Sequence, residues 1–276
     1  MIIRKVNKLI LYFILIFLGL LTLTPFAYMV SSSLKSGATL FEYPPEFLPA
    51  NPTINNYVRV WTGENFQVYF LNSITVSVLA TVITALLSSM LAFGLSRYRF
   101  RGQKMLFAVI MATMIIPGMT LIIPQYDLVQ NIGLLNSLWG LIIVYSAWTI
   151  PFTTFLLKGF FDSIPQEMDE AVYIDGGTEY TLYWKIMLPL SLPALGAASI
   201  FNFLTAWEEF PWALTVITEP MKRTLPIAIA NFQGQYVTEW GLVFAACLIA
   251  ILPVIIVFIS FQNLFISGIT TGAIKG

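Results

Sequence analysis

The chain has 276 residues, 58% of them hydrophobic and 10% charged, with a mean hydropathy of +0.81. A soluble domain carries about 25% charged residues, so composition alone makes this a membrane protein. Net charge is zero, which gives no sign of nucleic acid; the single Cys247 excludes an internal disulfide, and the lack of histidine removes His-ligated zinc, Ser-His-Asp catalysis and imidazole proton relays.

Charge-free stretches run over 9–34, 65–96, 105–126, 128–157, 186–207 and 240–274. Each exceeds the ~20 residues needed to cross ~30 Å of hydrocarbon as a helix. They predict an all-α integral membrane protein with six transmembrane helices. The first, near 9–30, follows Arg4, Lys5 and Lys8. A signal peptide shares that start, but the apolar length and the lack of an A-x-A site favour a retained anchor. An external segment follows with Pro44, Pro45, Pro49 and Pro52, and a short interfacial helix is expected around Asn55, Asn56, Tyr57 and Trp61. The second span, 68–95, ends at the basic turn Arg97 to Lys104. The third, 105–126, contains Pro117-Gly118 and Pro124; the fourth, 136–158, contains Pro151; the fifth covers 186–207; the sixth, 241–265, contains Pro253. Proline kinks a helix, so these spans fit either ordinary kinked packing or a hinged, pathway-lining role.

Lysine and arginine set the orientation. With six crossings, ten basic residues fall on the side holding both termini, the Arg97–Lys104 turn and the loop between spans four and five; the other side holds Lys35, Arg59, Lys222 and Arg223. Both termini and that loop are therefore expected in the cytoplasm, with the chain multi-pass in the bacterial cytoplasmic membrane. The expected organisation is an N-terminal helix plus external segment (1–66), a five-helix core (67–266) with a loop at 163–185, and a cytoplasmic tail (267–276).

From Asp162 to Lys185 the chain carries six acids, Asp162, Glu167, Asp169, Glu170, Asp175 and Glu179, against the one base Lys185. Ser163 is expected to cap a helix starting near Pro165, with acids in its first turns. Gly176-Gly177 would end it and Thr178 would cap the next helix. Met168, Ala171 and Val172 share a face at i, i+3, i+4 spacing, bordered by Glu167, Glu170 and Asp175. Such a stripe fits a partner's groove or packing on the chain's own bundle; the residues alone leave both open.

No G-x-x-x-x-G-K-[ST] loop and no Gly-Lys dipeptide occur, so the chain has no means of cradling ATP phosphates. No metal cluster or nucleophile-base pair stands out, and no cofactor is expected. Polar and aromatic residues within spans are candidates for a solute path: Tyr145, Ser146, Trp148 and Thr149 on the fourth, Asn202 and Thr205 on the fifth, and Glu209 just beyond it. Helix packing uses the same residue types. Glu208 would sit near the outer headgroups, where interface anchoring and substrate contact are equally open. The polar stretch from Glu219 to Trp240, including Asn231, Gln233, Gln235 and Tyr236, suits a partner in solution.

Glu170-Ala171, Asp175-Gly176, Ile186 and Leu188-Pro189 resemble the "EAA" loop of binding-protein-dependent ABC importer permeases of the carbohydrate type. Asn72-Ser73, Arg97-Tyr98-Arg99-Phe100-Arg101-Gly102 and the tail Gly272 to Gly276 are similar as well. The tail resembles that of maltose-type permeases. The resemblance implies a type I importer fold in which Glu167, Met168, Glu170, Ala171, Val172, Asp175 and Gly176 form a coupling helix seated in an ATPase cleft. It implies that Gly272, Lys275 and Gly276 reach the ATPase dimer, and that Gln233, Gln235 and Tyr236 touch the solute-binding protein. The implied partners are a second permease, two cytoplasmic ATPases that use ATP, the binding protein and a sugar. Glu208 departs from the asparagine such permeases usually carry. A secondary carrier driven by an ion gradient is the competing reading, though such carriers usually show inverted repeats and mid-membrane ionisable groups, neither evident here. A membrane enzyme lacks site chemistry.

Overall fold

The structure is a computed structural model and describes residues 2–35, 47–49, 51–63, 65–232 and 238–273. Among the described residues, four helices are long and apolar enough to cross a bilayer: α1 (Ile2–Ser33), α3 (Phe66–Arg97), α6 (Leu138–Asp162) and α13 (Trp240–Ala273). Two further helix pairs meet the same length and apolarity but are sharply bent. Gln103–Ile115, containing α4 (Gln103–Ala112), meets Gly118–Asn131, containing α5 (Ile122–Asn131), at 95°. Glu179–Leu190 meets α10 (Leu192–Glu208) at 70°. The count of six holds when each bent pair is one span.

The bends are far sharper than an ordinary proline kink, and prolines mark both breaks. Before Pro117 the α conformation is disfavoured; Ile116 is extended (φ −83°, ψ 119°), so α4 winds down through a 3-10 turn and stops. In the fifth, α8 (Glu179–Thr181) runs into a π-helical stretch, Leu182–Met187, and α9 (Leu188–Leu190). Pro189 and Pro193 lack backbone donors, and Ser191 between them leaves helical geometry (φ −83°, ψ 0°).

Packing divides the chain into two units: 1–67 with 228–252, and 68–227 with 253–276. In the first, α2 (Asn55–Thr62) is the interfacial helix expected from the sequence. Asn56 Nδ2 donates to the carbonyls of Ser33 and Lys35, both at 2.8 Å, and Arg59 pairs with Glu239 at 2.9 Å. A Cβ at Gly241 would lie 2.7 Å from Asn56 Nδ2, so glycine permits the start of α13 to approach α2. The apolar window of α1, Ile10–Ser33, keeps most of its large side chains exposed.

In the second unit α6 is the most buried span. Ser137 caps its start by accepting from Trp139 N. One half of α6 lies in a core with Val76 and Ala80 of α3, Val129 of α5, Ala206 of α10, and Trp212 and Ala213 of α11 (Pro211–Val216). The other half packs Leu157 and Phe161 against Ala92, Phe93, Leu182, Tyr183 and Met187. The segment after α11 is pinned to this unit. Asn72 Nδ2 donates to the Met221 and Arg223 carbonyls, and the Leu225 amide opening α12 (Leu225–Asn231) donates to Ser73 Oγ.

Candidate functional site

The loop between α6 and α10 holds α7, Glu167–Ile174, with Glu167, Asp169 and Glu170 in its first turn where the helix dipole favours acids. The expected Ser163 cap is corrected: Ser163 ends α6, its hydroxyl donating to the Phe160 carbonyl, and Gln166 occupies the N-cap of α7 without a side-chain bond. The hydroxyl reaches back along the helix it has just left, because α7 begins four residues further on. The C-terminus is as expected. Gly176 has φ +76°, Gly177 N donates to Val172 O at 2.8 Å, and Gly176 N donates to Tyr173 O at 3.0 Å. This double closure is a Schellman motif, which needs a left-handed residue at the turn. Thr178 holds the N-cap position of α8 in extended conformation, without a side-chain bond.

The expected apolar stripe is split. Val172 is half-buried and packs on the core around Phe93 and Phe161, whereas Met168 and Ala171 are exposed. The outward face is Glu167, Glu170, Ala171 and Ile174 at i, i+3, i+4, i+7 spacing, and Ile174 is 84% exposed. Ile174 escaped the sequence reading; extending the stripe by one turn would have found it. Asp175 is exposed beside it as the C-cap.

The inward face of α7 is fastened by charge. Arg97 Nε, at the end of α3, lies 2.9 Å from Asp169 Oδ2, with side chains only 6% and 14% exposed. The pair is close without hydrogen-bond alignment, since Arg97 Nε and Asp169 Oδ1 have no hydrogen-bond partner. Arg97 also donates to the Ile164 carbonyl at 3.1 Å and reaches Met187 Sδ at 3.6 Å. Nearby, Ser96 Oγ donates to Asp162 Oδ1 at 2.7 Å, and Lys158 pairs with Asp162. A cleft of about 360 Å³ lies here, lined by Arg97, Tyr98, Asp169, Glu170, Tyr173 and Glu179 among others. Tyr173 donates to Glu179 at 2.8 Å, and Tyr98 lines the cleft beside the same carboxylate. Burial, then the Glu179 carboxylate, push both phenols up to about 12. Burial also raises Asp169 above its usual range, against the pull of Arg97 and with help from Glu179 and Glu170. In the sequence Arg97 reads as an orientation charge and as the first residue of the Arg97-to-Gly102 run, with no contact to α7 foreseen.

The solute-path candidates have mostly internal partners. Tyr145 is buried and donates to Glu209 Oε2 at 2.6 Å. The Glu209 carboxylate also accepts from the amides of Trp212 and Ala213 at 2.7 and 2.9 Å, capping α11. Asn202 pairs with Thr153 across α10 and α6. Thr205 is exposed, its hydroxyl bonded to the Phe201 carbonyl. Trp148 is half-buried against Tyr145 and Trp212, and its indole Nε1 has no partner. Glu208 is exposed at the end of α10. Gln233, Gln235, Tyr236, Lys275 and Gly276 lie outside the described residues, and Gly272 lies in the last turn of α13.

Residues 84–271 match the family model described as "Binding-protein-dependent transport system inner membrane component". The chain is 34% identical over 264 residues to the probable ABC transporter permease protein YurM of Bacillus subtilis, covering 95% of this chain and 87% of that one. It is 33% identical over 264 residues to the trehalose/maltose transport system permease protein MalG of Thermococcus litoralis, covering 95% and 94%. Its structure is similar to a chain in the crystal structure of a bacterial ABC transporter involved in the import of the acidic polysaccharide alginate. That match has a TM-score of 0.83 and 25% identity, and covers 95% of this chain and 97% of the other. With its helical spans and the loop helix between α6 and α10, the chain belongs to the family of inner membrane components of binding-protein-dependent transport systems.

Proposed function

We propose that this permease imports a carbohydrate, pairs with a second permease, receives its solute from an external binding protein, and is driven through the outward face of α7. Within an ABC importer the permease is not itself the ATPase; separate subunits hydrolyse ATP. The observation that carries the coupling role is the contrast between the two sides of α7. Its inward side is fixed by Asp169 and Val172, while Ile174 is left 84% exposed among Glu167, Glu170 and Ala171. Burying one such isoleucine in a partner's groove contributes about 1.5–3 kcal/mol, and the acids around it suit basic side chains at the groove's edge. The carbohydrate class is supported by the names of the trehalose/maltose and alginate relatives. A cytoplasmic position for α7 and both termini is supported by the excess of lysine and arginine on that side.

The solute is proposed to pass Trp148, whose ring is framed by Tyr145 and Trp212 and whose Nε1 would donate to a hydroxyl. The tail Gly272 to Gly276 and the stretch Gln233 to Tyr236 are proposed contacts for the ATPase and the binding protein. The coupling role is tested with Ala171→Arg in the complete transporter in proteoliposomes. The expected result is normal insertion, loss of uptake and loss of the ATPase response to loaded binding protein. Wild-type uptake in that variant would contradict the assignment.

A further inference from the structure

Arg97 has contacts on three elements around α7. It pairs with Asp169 on α7 itself, donates to the Ile164 carbonyl in the link from α6, and touches Met187 in the helix beyond the Gly176 turn. Tyr98, the next residue, lines the same cleft as Glu179 and Tyr173 of α7. The end of α3 therefore holds α7 on the side opposite its exposed face, and holds the segments before and after it as well.

A buried ion pair is weak evidence for stability, because desolvation offsets the Coulomb attraction. This one has the further disadvantage that Arg97 Nε and Asp169 Oδ1 lack hydrogen bonds. What such a pair supplies is position: moving α7 away from α3 separates two buried charges, whereas moving them together keeps the pair. We propose that Arg97 is a positioning residue of the coupling machinery, tying α7 to α3 through Asp169 so that displacement of α7 moves α3 as well as the helix beyond Gly176. This rests on α7 being the ATPase-facing element.

The test is solute transported per ATP hydrolysed by the complete complex, both permeases, ATPases and binding protein, in proteoliposomes. Arg97→Glu and Asp169→Arg, each alone, are expected to lower that ratio about tenfold, within the usual span of allosteric couplings. The two together restore the pair with reversed sign and are expected to return the ratio to near wild type. Asp169→Asn, uncharged and nearly isosteric, is expected to assemble normally and still lower the ratio. A role in folding alone would reduce the amount of complex and leave the ratio unchanged. Single variants that keep the ratio, or a double variant that fails to recover it, would overturn the proposal. Ala171→Arg measured alongside separates the two claims. If it uncouples while the Arg97 variants stay coupled, the tether is wrong and the docking face stands; if it too stays coupled, the docking face is wrong.

Discussion

Glu209 shows how a residue that resembles a solute ligand is engaged inside the fold. Its carboxylate accepts two amides at the start of α11 and the buried Tyr145 hydroxyl. Removing it takes away a cap, worth about 0.5–2 kcal/mol, and orphans a buried hydroxyl, at about 1–3 kcal/mol. Glu209→Ala is therefore expected to lower stability by roughly 1.5–5 kcal/mol, read as a fall in the thermal midpoint of the purified complex; an unchanged midpoint would contradict the capping role. Trp148 is the opposite case, with its Nε1 unbonded. Trp148→Phe keeps a ring and loses the donor, so a lost hydrogen bond of about 1 kcal/mol predicts roughly fivefold weaker uptake at low solute with basal ATP hydrolysis unchanged. Asp169 adds a pH signature. Its pKa is raised by burial, with Glu179 and Glu170 adding and Arg97 opposing, while Tyr98 and Tyr173 stay protonated to about 12. A raised carboxylate pKa makes the protonated form the better folded one. Its contribution is thus fullest below the ordinary value of 3.8 and falls as pH rises through the folded pKa. Acidification from neutrality should raise the midpoint of the wild type relative to Asp169→Asn; the reverse trend would contradict this placement.

Among the elements, α7 depends on its exit. Gly176 at φ +76° closes both carbonyl bonds of the Schellman turn. A β-branched residue there is strained by about 1–3 kcal/mol, so Gly176→Val is expected to lower the thermal midpoint and uncouple ATP hydrolysis from uptake. Uptake and midpoint equal to wild type would show that the turn can be remade without a left-handed residue. Much of this element was legible in the sequence: paired glycines mark a helix end, and acids mark a helix start. Its two faces were not. Val172 turns inward because Asp169, one turn before it, is drawn to Arg97, a contact between residues 72 positions apart. The bends were half legible. Pro117, Pro189 and Pro193 signal weak points, but proline in a span is also compatible with a mild kink, and residue types alone carry no value for the 95° and 70° angles. Ser163 misled because its hydroxyl satisfies a carbonyl behind it as readily as an amide ahead.

At the scale of the whole molecule, charge-free length and the sorting of lysine and arginine were enough to read a multi-pass membrane protein, and the family match over 84–271 agrees with the resemblance drawn from the acidic loop. Partners were less legible, because a docking face is defined by what it leaves exposed, and exposure follows from the fold. The account requires that energy enter from ATPase subunits through α7. The most direct measurement is solute accumulation in proteoliposomes holding the two permeases with their binding protein, with and without the ATPase subunits and ATP. Accumulation is expected only when the ATPases and ATP are present, and an imposed proton or sodium gradient should not replace them. Accumulation driven by an ion gradient in vesicles lacking the ATPases would contradict the account.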